Sequence, residues 1–400
     1  MDIKTRIKLE GARLASASAA GALCALAVIS SLAPSPAHAD AAARAKAVLL
    51  HQRITGVPPT AADLNTMEPL IASDPLSAAA IATGKAQFYN VTLKNMFLPA
   101  TNRDQSVFVP LNDYVVTAIG MIHDDVPFNT ALSADILYTV SGNGLPAPSA
   151  TSNDHYAQAE TNGVDLKSAL TKTSQSAVYG IPVAGTAGLI TTRAASEAFF
   201  IDGTNRAMFR FTMINHMCKD MEQLHDTSRP PDRIRQDVSR SPGGDSRVFL
   251  NNCIACHSGM DPMAQAFAYY DFDETVGRLV YTAGQVQPKY FNNKDTFKPG
   301  YSTPDDHWNN YWRSGRNALL NWDSALPGAG NGAKSLGREL AGTEAFARCQ
   351  VQKVFRNVCF RAPSDGQDRD QVDAMTASFK SSGYQLKRVF AEAATYCKGD

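Results

Sequence analysis

The pentapeptide Cys253-Ile254-Ala255-Cys256-His257 constrains this chain more than any other stretch. Two thiols three residues apart on a helical turn can both reach the vinyl groups of one porphyrin. A histidine next in sequence then aims its imidazole at the iron. The spacing is that of a c-type haem attachment site, with Cys253 and Cys256 as the bonding thiols and His257 as the proximal iron ligand. It predicts one covalently held haem c and limits the chemistry to electron transfer, oxygen or peroxide. A zinc site would need a fourth ligand from elsewhere in the chain. A thioredoxin-like dithiol would need a βαβ surround, and none is legible.

The N-terminus agrees with export. Lys4, Arg6, Lys8 and Arg13 precede an apolar stretch from Leu14 to Leu32, and Ala37-His38-Ala39 is a small-residue cleavage site before Asp40. Residues 1–39 therefore read as a Sec-type signal peptide cleaved after Ala39, which predicts a periplasmic or secreted protein. No later stretch reaches the roughly 18 apolar residues needed to span a bilayer. The leader carries off four bases and two acids, and what remains is close to neutral without a basic block. That gives no support to nucleic-acid binding.

Of the seven cysteines, Cys24 leaves with the leader and Cys253 and Cys256 belong to the motif. Cys218, Cys349, Cys359 and Cys397 remain, an even number in an oxidising compartment, with three connectivities open or some thiols left free. The C-terminus reads as three helices, Gly337 to Phe360, Asp368 to Lys380 and Tyr384 to Lys398, with Pro363 and Gly383 in the breaks. In an up-down-up arrangement Cys359 and Cys397 finish at one end. This favours Cys359–Cys397, leaving Cys218–Cys349.

The expected fold is mainly α, divided into an N-terminal helical and loop-rich domain over residues 40–200 and a cytochrome-c-like haem domain with a C-terminal helical bundle over 201–400. Helices are expected from Ala42 to Arg53, from near Ala61 to a break at Ser73-Asp74-Pro75, over Ala78 to Leu98, and over Arg193 to Leu224. Pro99 to Ile190 reads as short helices and long loops, and Asp226 to Gly244 as a linker rich in Pro, Arg and Asp. After the motif, β-favouring residues stand at Arg278 to Thr282, and the aromatic-rich His307 to Asn321 reads as helical. Arg53 to Asp63 and Arg356 to Asp365 echo each other as a helix stop, a proline turn and a new N-cap.

The sixth iron position is where the chain says least. Met213 shares a helix face with Met217, and His307 lies 50 residues beyond His257; these are the two distal candidates, each with packing or surface exposure as the ordinary explanation. Met208, His216 and Met221 accompany Met213, while Met260 and Met263 follow His257 too closely to cross the porphyrin plane. With an open position, His123 beside Asp124 and Asp125 becomes a candidate acid–base group. Trp308, Trp312, Arg313 and Arg316 could meet propionates, and Tyr269 and Tyr270 stand near the motif. The carbonyl of Pro262 is a local acceptor for the second ring nitrogen of His257.

The stretch Cys253-Ile-Ala-Cys-His-Ser-Gly-Met-Asp-Pro-Met, followed by Tyr270-Asp271-Phe272-Asp273, resembles a segment of large secreted haem proteins abundant in planctomycetes. Arg338-Glu-Leu-Ala through Phe355-Arg356, and the ending from Gly383, resemble the C-terminal helical domain of that family. The likeness runs from about Arg206 to the C-terminus. It departs at Met263-Ala-Gln-Ala, where the family has a glycine-containing turn. What it implies is a cytochrome-c-like domain on a helical frame, with no named substrate. The expectation is an exported monohaem c-type cytochrome exchanging single electrons with a redox partner protein. The alternatives are a haem c peroxidase or oxygenase with an open distal site, and a binding protein whose N-terminal half docks a partner or polymer.

Overall fold

Capping residues placed just before apolar runs decide where the chain turns. The computed structural model describes residues 36–399, with side chains from Ala41 onward. The leader expected over 1–39 lies outside the described residues, except where its last residues open the helix Pro36–Thr55. Thr60 caps Ala61–Met67 by accepting the Asp63 N–H, and Asp74 caps Pro75–Thr83 by accepting the Ser77 N–H at 3.1 Å, with Pro75 at the first helical position. Asp365 caps Gly366–Ser381 in the same way. The two echoing segments are therefore both helix–proline–cap turns. They also touch, because Arg53 donates from Nη1 to the Val358 carbonyl at 2.9 Å.

The protein is mainly helical, with three two-stranded antiparallel sheets among the described residues. At the C-terminus, Glu344–Cys359, Gly366–Ser381 and Leu386–Tyr396 each pack on the other two. The N-terminal helices Pro36–Thr55 and Pro75–Thr83 pack on Leu386–Tyr396, so the start and end of the described chain share one layer. A contiguous set of buried apolar residues runs from Ala47 through Met213 and Phe267 to Ala394, drawing on both sides of residue 200. No helix among the described residues is long and apolar enough to cross a membrane.

Both expected disulfides form, Cys359–Cys397 as the helix directions suggest and Cys218–Cys349 as the remaining pair. Cys359 ends one helix and Cys397 caps its parallel neighbour, with Cα atoms 5.5 Å apart. Cys218–Cys349 joins the bundle to the helix Arg206–Met217, with Cα atoms 5.3 Å apart.

Several expected elements are shorter than their patterns. The helix expected over Gly337 to Phe360 is two, Gly332–Ala341 and Glu344–Cys359, because Thr343 caps the second by accepting the Phe346 N–H. Arg193 to Leu224 divides into Arg193–Phe199, Arg206–Met217 and Met221–Leu224. Ala78 to Leu98 is interrupted after Thr83 and resumes as a π turn at Phe88–Leu93. His307 to Asn321 is not a helix. His307–Asn309 is a strand paired antiparallel with Ala329–Asn331, followed by short 3₁₀ turns. The β reading near Arg278 holds, as Arg278–Tyr281 pairs with Tyr270–Asp273.

Asp368 shows how the last turn is locked. Its carboxylate, without exposed side-chain surface, accepts from Arg361, from the Ser364 N–H at 2.8 Å and from the Tyr396 hydroxyl at 2.8 Å. Arg361, with the backbone and hydroxyl donors behind it, holds this carboxyl well below the usual carboxylate range. An unfolded aspartate titrates at about 3.9, so the stabilisation is complete above that pH and is lost as the pH falls toward the lower folded value. Asp368→Asn should lower stability at pH 7 in urea unfolding, and its deficit against the wild type should shrink below about pH 4. A deficit unchanged at low pH would show that the charge is not responsible.

Candidate functional site

The motif straddles a helix start. Ser246–Asn252 ends at Cys253, which opens the helix Ile254–Ala264, and this helix carries Cys256 and His257 in its first turn. Pro262 sits inside the helix, two residues before its end, and so does not stop it. Cys253 and Cys256 are free and partly exposed, while the other four described cysteines are paired. The Cys256 Sγ lies 3.5 Å from the Met221 carbonyl, and burial pushes its thiol pKa up.

His257 points its Nδ1 at the Asp261 carboxylate, 3.2 Å from each oxygen, one helical turn on. The Pro262 carbonyl is therefore not its partner. Burial alone would push the Asp261 carboxyl up. The Arg206 and Arg235 charges, with His257, overcome that and hold it well below the usual range. An ionised carboxylate can only accept, so Nδ1 carries the proton and the Nε2 lone pair is left for a ligand.

Three stretches of chain converge on Asp261. Arg206, which opens the helix Arg206–Met217, clasps it with Nε at 2.7 Å and Nη2 at 2.9 Å. The same guanidinium pairs with Asp237. Arg235, only 2 % exposed, approaches Asp261 at 3.6 Å and lies 5.1 Å from the Tyr290 ring centroid; its guanidinium nitrogens have no hydrogen-bond partner. The segment expected to be a linker, Asp226 to Gly244, thus wraps the motif helix. The Asp226 N–H donates to the Ala255 carbonyl at 3.0 Å, and Arg233 donates to the His307 carbonyl at 3.1 Å.

Trp312 closes the other approach. A Cβ on Gly259 would stand 1.8 Å from the Trp312 Nε1, so the indole rests directly on the motif helix two residues past His257. Phe209, from the Arg206 helix, meets the same indole at 5.9 Å.

The other candidates are distributed through the fold. Met213 is fully buried on the Arg206 helix, two turns beyond Arg206 on the same face. Met208 and Met217 each take a hydroxyl, from Thr212 and Thr343. His307 sits on its strand 3.5 Å from the Asn331 Oδ1. His216 is buried against the Tyr114 hydroxyl at 3.0 Å, and burial with the nearby Lys353 charge pushes it down to about 3. His123 caps a different corner, bonded to Asp124 at 2.7 Å and edge-on to Tyr89. Arg313 is committed to Glu339, Arg316 lies 3.3 Å from His225, and the Trp308 indole donates to Ser335. Met260, Met263 and Tyr270 are buried in the core.

No family model, curated protein or solved structure matches the chain.

The donor set suits haem c. Attachment asks for two thiols that bond carbon and one imidazole that meets the metal, with its other nitrogen held. Among the described residues no three His, Cys, Asp or Glu side chains are grouped to hold a metal ion, and haem attachment needs no such group. Asp261 and the arginines behind it are the residues that sequence reasoning missed. Asp261 was within reach of the i, i+4 rule from His257; Arg206 and Arg235 carried no local signal.

Arg206→Met should cost about 3–5 kcal/mol in denaturant unfolding, because Asp261 and Asp237 lose their shared partner while staying buried. A loss below about 1 kcal/mol would mean that the cluster is solvated. Gly259→Ala should cost about 1–3 kcal/mol by driving Trp312 off the helix, and adding Trp312→Phe should recover part of that loss in the same measurement.

Proposed function

We propose that this chain is an exported monohaem c-type cytochrome that passes single electrons to or from a protein partner. The observation that carries the reading is the state of the three motif side chains. Cys253 and Cys256 stay free while the other described cysteines pair, and the adjacent His257 has its Nδ1–H committed to a buried carboxylate. Haem c, when bound, supplies an iron that changes oxidation state by one electron.

The chain's own residues then have distinct tasks. Cys253 and Cys256 would hold the group at the N-terminal end of the motif helix, and His257 would present Nε2 to its metal. Asp261 fixes the tautomer and ring orientation and raises the basicity of the imidazole. Arg206 and Arg235 hold Asp261 in turn, so the ring does not rotate freely. Two disulfides support an oxidising, periplasmic or extracellular setting. The motif's Met-Asp-Pro continuation supports kinship with the planctomycete-type haem proteins.

A second reading, a haem c peroxidase or oxygenase with an open distal position, is favoured by one observation. A carboxylate, and not a backbone carbonyl, faces Nδ1. The more basic imidazole that results would favour oxidised iron in a bound haem.

Absorption spectra of the oxidised and reduced exported chain decide between them. Electron transfer expects a low-spin spectrum; a high-spin spectrum that shifts on cyanide addition moves the assignment to the enzyme. The Cys253→Ser/Cys256→Ser variant should keep no haem after denaturation, and retained covalent haem would sink the attachment site. Met213→Ala or His307→Ala should convert low-spin to high-spin, whichever supplies the sixth ligand. Two unchanged spectra would discard both candidates.

A further inference from the structure

A cavity of about 650 Å³ opens between the C-terminal end of the helix Arg206–Met217, the middle of Glu344–Cys359 and the turn near Pro99. Its lining divides by chemistry. Met96, Pro99 and Ile214 are apolar, whereas Lys219, Lys353 and Arg356 are basic. Lys353 and Arg356 lie three residues apart on one helix and so share a face, with Lys219 on a different segment of the wall. The one carboxylate in the lining, Asp220, is already held by Arg210 through two bonds of 2.7 Å. Among the described residues none of the three cations of this cavity forms an ion pair within 4.0 Å; the pairs that form nearby are Arg210–Asp220 and Arg348–Asp373.

Lys353 is the informative one. Its Nζ donates to the Asn215 carbonyl at 3.2 Å and stands 5.4 Å from the centroid of the Phe97 ring. Burial pushes its amine down to about 8, with no negative group opposing. An ammonium drawn away from water without a counter-charge costs stability. A bound anion would offset that cost, and the cavity has the volume of an ordinary small-molecule site.

We propose that this cavity binds a medium-sized organic carboxylate, its head group at Lys353 and Arg356 and its apolar body against Met96, Pro99 and Ile214. The apolar half of the wall favours an organic acid over a bare inorganic oxyanion. The three cations disfavour amines and metal ions. None of these residues belongs to the motif, so the site stands whether or not haem is attached at Cys253 and Cys256. The two places are nonetheless close in the chain. Lys219 and Asp220 run directly into Met221, whose carbonyl lies against the Cys256 Sγ.

Titration calorimetry of the exported chain with octanoate, octanol, octylamine and inorganic phosphate tests the assignment. Octanoate should bind saturably, with octanol and octylamine at least about tenfold weaker, since they lack the charge-assisted contacts. Lys353→Met should weaken octanoate by about tenfold or more, and Arg356→Gln by a smaller factor. Lys353→Met removes a half-buried cation that has no ion-pair partner and should fold; the wild-type ligand comparison stands in any case. Octanoate no tighter than octylamine, or unaffected by Lys353→Met, overturns the site. Inorganic phosphate binding as tightly as octanoate overturns the role of the apolar wall.

Discussion

The Asp261 carboxylate, with no exposed side-chain surface, is where three separate stretches of chain are obliged to meet. A buried charge is tolerated only when it is paired and hydrogen-bonded, and the motif helix supplies one partner of its own, His257. The others come from the start of the helix Arg206–Met217 and from the loop that carries Arg235 and Asp237. Satisfying one carboxylate therefore fixes how helix, helix and loop are arranged. The pairing adds little net stability beyond what apolar residues of the same size would give. What it adds is a single allowed arrangement, and the orientation of the His257 ring is part of it.

Much of the frame was legible in the sequence because it depends on short-range rules. The break at Ser73-Asp74-Pro75, the cap at Thr60 and the pairing of Cys359 with Cys397 all follow from periodicity, capping chemistry and helix direction. The elements that were misread depend on distant partners. His307–Asn309 looks helical alone, and becomes a strand because Ala329–Asn331, a glycine-containing run, lies alongside it. Trp308 packs where Gly330 has no side chain, so the register is set from outside the segment. The division at Gly342-Thr343 was local and readable. A strong amphipathic pattern on both sides concealed it.

The candidate site follows the same division. Cys253, Cys256 and His257 are visible because attachment chemistry fixes their spacing. Asp261 is visible to anyone who counts one helical turn from His257. Arg206 and Arg235 are not, since a guanidinium recruited from outside the motif helix leaves no mark beside the motif. Composition misled here as well. Proline, arginine and aspartate between 226 and 244 have the appearance of an exposed linker, yet Arg235 is among the largest buried side chains of the described residues. The charges there are used inward.

The clasp between the two ends of the described chain has a consequence for how the protein matures. Pro75–Thr83 packs against Leu386–Tyr396, and Thr395 reaches the Pro75 carbonyl. The core cannot close until the last helix is available, and contacts that span the whole sequence form slowly. During that interval Cys253 and Cys256 sit in an open chain with the four other described cysteines. Closure brings Cys397 to Cys359 and Cys349 to Cys218, which takes those four out of competition. Only the Cys359–Cys397 pair needs the final helix in place, so that helix withdraws one pair of thiols from competition with Cys253 and Cys256.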